Sequence, residues 1–373
     1  MSNARNLANL LGTGTQVTTA DIADGVFQAN KNLIINGAMQ VAARGTSQTG
    51  ITSGGYKDAP DRFRIDATTV GTWTVSQSTT APEGFSNSYK FECTTANGSL
   101  SADSKLSLLQ RIEGQNLQQL KKGTSNSESV TLSFWVRSSK TGTYIVQLKD
   151  QDNTRIYSQA YTISSANTWE YKTLTYAGDT TGSFDNDNGD SFRVFWWLVA
   201  GTDFSSGTLA TAWESNTNAN RAVGQVNLAD TVGNDWYITG VQLEVGEQAT
   251  PFEHRSYADE LRRCDRYFQS YDLSGNYVGL STAYVNNSTT GSSSMTFRTP
   301  MRASPTMSFN NLIVTDRTAF DSDVSQVTVQ GSSSDGVSFR TTHASNSASL
   351  HDGVEITSKN NTTDAYARFD AEL

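Results

Sequence analysis

Trp236-Tyr-Ile-Thr-Gly-Val-Gln-Leu-Glu-Val-Gly-Glu-Gln-Ala-Thr-Pro-Phe-Glu-His-Arg-Ser256 ends one kind of structure and begins another. Its first half reads as the last strand of a sandwich. Gly246 turns the chain, and Thr250-Pro-Phe-Glu253 continues as an extended tail. A helix over 257–269 follows at once. One β-domain therefore ends near residue 255.

Upstream of that join, strand patterns recur over 72–77, 88–93, 107–112, 129–137, 142–149, 168–176, 191–199 and 235–245. Gly, Asn, Asp and Ser clusters separate them. Short strands with such punctuation predict an antiparallel sandwich. Asn32 to Ala43 reads as a first strand with a bulge or turn at Asn36-Gly37, and Tyr56 to Ile65 leads into a second. Alternation assigns faces. Leu132, Phe134 and Val136 share one face, and Ser133, Trp135 and Arg137 the other. Tyr144, Val146 and Leu148 oppose Ile145, Gln147 and Lys149. The run Phe192 to Val199 is apolar on both faces, so a central, doubly covered strand is expected.

Downstream, Tyr257, Leu261, Cys264 and Phe268 form one helical stripe. Ser256 is the expected N-cap, and Asp259 and Arg263 an i,i+4 pair. This stripe either packs flat on a β-domain or meets two copies of itself across a threefold axis; its four residues are the candidate oligomerisation contacts. Strand patterns return over 277–283, 293–298, 306–310, 325–329, 336–341, 353–358 and 365–371. This region is rich in Ser, Thr and Asn, and its thin core favours burial shared in an oligomer. Residues 1–30 cannot bury a core alone. Leu7, Leu10, Leu11, Ile22, Val26 and Phe27 are spaced through them, and an attachment arm is expected. The fold class is mainly β: arm 1–30, jelly-roll sandwich 31–255, connecting helix 256–269 and small β-domain 270–373.

The chain has 373 residues, a net charge of −9 and only 17% charged residues. Its 37 aromatics can fill real cores. An acidic surface argues against nucleic-acid binding, which needs a basic face. No apolar run approaches a membrane span, and the opening Met1 to Leu7 lacks the apolar core of a secretory signal. Cys93 and Cys264 read as isolated buried thiols rather than a disulfide.

Catalytic patterns are scarce. His254, His343 and His351 lack metal-ligand spacing, and there is no P-loop and no Gly-x-Ser-x-Gly elbow. Asp185, Asp187 and Asp190 crowd one loop, which reads either as a calcium site or as a solvated turn. It lacks the glutamate that closes an EF-hand loop. No other cofactor is expected. Glu92, Glu113, Glu170 and Asp66 lie on or near strands, but no pair stands out as the flanking acids a glycosidase needs.

The elements Asn32 to Gly37, Val130 to Ser138, Thr168 to Thr173, Tyr237 to Gly246 and Thr250 to Glu253 occur in an order that resembles jelly rolls of the carbohydrate-binding-module type. That likeness covers about 225 residues. Where such modules often carry an acidic residue before the closing Val, this chain has Thr239 and Gly240. The whole arrangement, through Arg262-Arg-Cys-Asp-Arg-Tyr-Phe268 to the Ser/Thr-rich tip, resembles tail-fibre and appendage proteins of tailed bacteriophages. The resemblance implies a homotrimeric, non-enzymatic virion protein. Its arm would bind other virion proteins, and its distal domains would meet host surface glycans. Trp135, Arg137 and Gln147 are the candidate glycan-binding residues. Alternatives are a capsid fibre, decoration or tail adaptor with an architectural role, and a glycan depolymerase.

Overall fold

The structure is a computed structural model that describes residues 30–317, 321–344 and 353–373. It is mainly β, with 47% strand and 8% helix. The expected arm residues Leu7 to Phe27 and His351 lie outside the described residues.

The sandwich strands are β1 (Ser47–Ile51), β2 (Gly55–Tyr56), β3 (Arg64–Thr68), β4 (Thr72–Ser78), β5 (Ser88–Thr95), β6 (Lys105–Glu113), β7 (Val130–Ser138), β8 (Gly142–Asp150), β9 (Arg155–Ile163), β10 (Glu170–Tyr176), β11 (Asp190–Ala200), β12 (Glu214–Ser215) and β13 (Asp235–Val245). The front sheet has the order β1-β4-β5-β13-β7-β10, and the back sheet β12-β9-β8-β11-β6-β3-β2. β2-β3, β4-β5 and β8-β9 pair as neighbours within one sheet, and most other connections cross from one sheet to the other. Alternation puts Leu132, Phe134 and Val136 of β7 into the core, facing Val194 and Trp196 of β11. Phe134 meets Trp196 edge-on, at 6.1 Å between ring centres. Strand β9 is absent from the sequence reading. Its Ser158 and Gln159 hide the apolar pattern, and Ser158 is buried because its hydroxyl donates to the Arg221 carbonyl.

Asn32 to Ala43 is not a strand. Asn36 and Met39 take left-handed backbone angles, φ 61° and 56°, which a strand cannot hold. Side-chain amides do the ladder's work instead. Asn36 accepts from the Val41 N–H at 3.0 Å and donates to the Val41 and Asp61 carbonyls, and Asn32 donates to the Val241 carbonyl. The apolar Ile34, Met39 and Val41 are buried beneath these bonds.

The connecting helix spans Tyr257–Asp265 and stops short of the expected Gln269. The Ser256 hydroxyl caps it by accepting from the Asp259 N–H at 3.2 Å. Asp259 pairs with Arg262 at 3.6 Å. Phe268 belongs to the next strand.

The C-terminal strands are β14 (Phe268–Asp272), β15 (Gly279–Asn287), β16 (Thr290–Thr296), β17 (Thr306–Asn310), β18 (Leu312–Thr315), β19 (Asp321–Ser332), β20 (Gly336–His343), β21 (Gly353–Ser358) and β22 (Tyr366–Asp370). A barrel closes in the order β15-β16-β20-β19-β18-β21, beside a small sheet β14-β22-β17. Closure leaves the barrel without open sheet edges. Its core, including Val285, Leu312, Phe339, Ile356 and Phe369, is separate from the sandwich core.

Residues Asn32–Leu373 nevertheless form one compact unit, and charge joins the two cores. Arg62, 1% exposed, pairs with Glu372, donates to the Arg111 carbonyl at 3.0 Å and lies 3.3 Å over the Tyr267 ring. Arg44 pairs with Asp370 and covers the Phe268 ring at 3.7 Å. Arg266 forks onto Glu113 at 2.8 and 2.7 Å. The Asn188 side-chain amide donates to the Arg302 carbonyl and the Arg302 guanidinium to the Asn188 carbonyl across the same seam.

Candidate functional site

Because Leu132, Phe134 and Val136 fill the core, Ser133, Trp135 and Arg137 must face outward from the front sheet. Cross-strand register then decides their neighbours. Thr239 and Tyr171 stand opposite Trp135, and Tyr237 opposite both Arg137 and Lys90. Trp135 and Tyr171 lie 5.3 Å apart at 50°, and Tyr171 is 45% exposed. Arg137 covers the Tyr237 ring at 4.8 Å and donates to the Asn167 carbonyl at 3.0 Å. No carboxylate pairs with it among the described residues. Trp169 meets the other edge of Tyr237 at 6.2 Å.

A bulge between Thr239 and Gln242 shapes one end of this face. Gly240 sits there at φ 61°; a Cβ would come within 2.7 Å of Phe85 and 3.1 Å of Trp135. The bare glycine therefore lets Phe85 press beside Trp135. Phe85 meets Phe252 at 5.0 Å and His254 at 5.3 Å. Both come from the extended tail, which is tied to the sheet. Gln242 accepts from the Glu253 N–H at 2.8 Å, and Glu244 from the Thr250 N–H at 2.9 Å. The result is a shelf with an aromatic floor, an aromatic wall and a cationic rim. It can stack flat apolar faces and donate hydrogen bonds, which is what a sugar ring requires.

The sequence places Trp135 and Arg137 on the outward face but does not bring Tyr171, Tyr237, Phe85 and Phe252 beside them. Finding these needs the strand register, which no local pattern encodes. Gln147 is a correction: it lies on β8 of the back sheet, fully buried, accepting from Arg221 at 3.1 Å. Alternation gave its face but not its sheet. Cys264 and Phe268 are also corrected, since both are buried within the chain. Of that stripe, Tyr257 is 56% exposed and Leu261 half-buried.

Asp185, Asp187 and Asp190 are not gathered. Asp190 accepts from Arg193 at 2.7 Å and faces Arg111 at 3.4 Å, while Asp187 accepts from the Gly189 N–H within its own turn. No group of three or more His, Cys, Asp or Glu fit to hold a metal occurs among the described residues. The glycosidase candidates each have a cation: Glu92 has Lys90, Glu170 has Lys172, Asp66 has Arg64 and Glu113 has Arg266. Burial works to raise the Glu113 carboxyl, but Arg266, Tyr267 and Gln115 together outweigh it and hold it below the usual range. His254 belongs to the aromatic wall, and His343 is buried with Nδ1 2.8 Å from the Ala344 carbonyl. Cys93 and Cys264 are free and buried. A hollow of about 860 Å³ in the barrel is lined by hydroxyls and apolar groups such as Ser294, Met295, Ser332 and Tyr271.

No family model and no curated protein matches the chain. Solved structures give partial likenesses. The enzymatically active domain of bacteriophage CBA120 tailspike protein 4 is 14% identical, with a TM-score of 0.30, over 58% of this chain and 21% of that one. The module TmCBM61, in complex with β-1,4-galactotriose, is 9% identical with a TM-score of 0.29, over 58% and 99% of the two chains. The C-terminal family 22 carbohydrate-binding module of Clostridium thermocellum Xyn10B is 13% identical with a TM-score of 0.27, over 56% and 99%. At such scores these likenesses decide neither fold nor function. No described helix is long and apolar enough to cross a membrane.

Proposed function

We propose that this chain is a non-enzymatic glycan-binding appendage protein of a tailed-phage virion. In this reading it acts as a homotrimer, attaches through residues 1–30 and contacts host surface glycans through the sandwich. The observation that carries glycan binding is the front-sheet shelf, where an exposed Tyr171 and a half-buried Trp135 lie together beside Arg137. A shallow, open shelf suits a polymer running across it better than a small molecule held in a pocket. Three weak sites on one trimer gain avidity without a deep cleft at any one of them. The virion and trimer parts rest on the sequence resemblance. The purely architectural reading leaves the aromatic floor without an occupant, and the depolymerase reading leaves its acids tied to cations.

The test is a glycan array probed with the full chain and with Trp135→Ala. Specific binding that falls about 10-fold or more in the variant, at unchanged melting temperature, supports the shelf; about 1.4 kcal/mol is then at stake. Binding that Trp135→Ala leaves intact removes this site from the reading.

A further inference from the structure

The outer face of the back sheet carries an arrangement that stability alone would not select. Lys149 of β8 pairs directly across from Arg193 of β11, and Arg193 directly across from Arg111 of β6. Three cations thus stand in one row over three adjacent strands. Like charges directly opposite one another destabilise a sheet. Asp190 is shared by Arg193 and Arg111. Lys149 makes no hydrogen bond and no ion pair among the described residues. Beside the row, Arg221 has the Gln147 side chain rather than a carboxylate, and lies 5.0 Å over Trp197. Gln147 is fully buried, yet its Nε2 has no partner. One shared carboxylate and one amide are thus the polar side-chain partners this group of four cations has on that face, and Lys149 is left without any among the described residues.

We propose that this row, on an acidic chain of net charge −9, is a binding site for the oxyanion of an acidic saccharide. A carboxylate over Lys149 and Arg193 would relieve their repulsion through charge-assisted bonds. The row spans two strand spacings, about 10 Å, so it can follow a chain rather than a single ion. The inference rests on the glycan reading but uses a different face. Burial and the nearby Arg221, Arg193 and Lys105 push the Lys149 ammonium down to about 8, against the Asp190 carboxylate. Glu214, in the same row two strands away, is engaged by Asn220. Affinity is therefore expected to fall as pH rises through 8.

Calorimetric titration of the full chain tests this, with a uronic-acid oligosaccharide, a neutral oligosaccharide of equal length and inorganic phosphate as probes. The expected result is uronate binding that weakens with salt and falls about 10-fold or more in Lys149→Gln. Trp135→Ala should leave it unmoved, which separates its failure from failure of the front shelf. Lys149→Gln and Lys149→Glu should melt no lower than the parent, because each removes a repulsion. Three results would overturn the proposal: no uronate binding, binding that Lys149→Gln retains, or inorganic phosphate binding as tightly as the uronate.

Discussion

Glu372→Gln should loosen the seam between sandwich and barrel. The Arg62 side chain is 1% exposed and the Glu372 side chain 4%. Removing one partner of a buried pair strands the other charge, at a cost of about 3–5 kcal/mol. Burial works to lower the Arg62 pKa, and the Glu372 carboxylate is the largest influence raising it. Two contacts outlast the substitution: the Tyr267 ring at 3.3 Å and the Arg111 carbonyl at 3.0 Å. A desolvated cation–π contact is worth about 2 kcal/mol, so the lower end, about 3 kcal/mol, is expected. Urea unfolding followed by two probes measures it. All seven tryptophans, from Trp73 to Trp236, lie in the sandwich. Their fluorescence therefore reports the sandwich alone, while far-ultraviolet circular dichroism also sees the barrel. In the parent the two curves should coincide; in Glu372→Gln the dichroism should move first. Arg62→Met with Glu372→Gln removes the stranded charge and should recover about 1.5 kcal/mol or more of the sum of the single losses. A loss below about 1 kcal/mol for Glu372→Gln, with strictly additive singles, would refute the clamp.

Gly240→Ala should cost about 1–3 kcal/mol by forcing Phe85 off the bulge, and should weaken glycan binding with it; an unchanged urea midpoint would count against the packing described. Asp61 is buried and its carboxyl is pushed up to about 6 from 3.8, chiefly by desolvation, against the N–H bond from Ala43. Its proton is held more tightly when folded, so its contribution is present below pH 4 and lost as pH rises through 6, by about 3 kcal/mol. Asp61→Asn should flatten that slope, and identical pH profiles would sink the assignment. Lys149 runs the other way. Its depressed folded pKa gives a contribution present above pH 10.5 and lost as pH falls through 8, so Lys149→Gln should erase part of the alkaline gain in melting temperature. Light scattering should give three times 40.5 kDa if the chain trimerises alone; a stable monomer would leave its symmetry to the particle.

What was legible depended on the range of the interaction. Val130–Ser138 and Gly142–Asp150 alternate, and a local pattern suffices to place them as strands; Asp235–Val245 is legible by its apolar, β-branched content although its bulge switches the core-facing parity. Ser256 capped its helix as expected because capping is also local. Asn32 to Ala43 misled because its apolar residues are buried without a ladder, held by two asparagine side chains. The helical stripe overran because Phe268 is apolar for a different reason: it lies under Arg44, more than two hundred residues away in sequence. Trp135 and Arg137 could be placed outward by alternation, but Gln147 could not be kept off their face without knowing the sheet order.

The two outer faces of the sandwich pose opposite problems, and this is the strongest reason to read both as binding surfaces. The front face leaves the Tyr171 ring open to water and the Trp135 ring half-covered, although Phe85, Phe252 and the tail already cover part of that sheet. The back face covers its rings, since Phe195 and Trp197 lie beneath Arg221, yet leaves Lys149 and Arg193 to repel each other. A spacer module under selection for stability alone could remove either defect with one substitution: Trp135 to a smaller polar residue, or Lys149 to glutamine. A surface that keeps unfavourable groups at two sites trades stability for contact, and on the proposed reading each site would meet one half of an acidic sugar, its C–H face or its carboxylate. If neutral and acidic glycans compete with each other for the chain, one polymer must wrap from face to face. If they bind independently, the sandwich presents two separate receptors on opposite sides, and a trimer would present six.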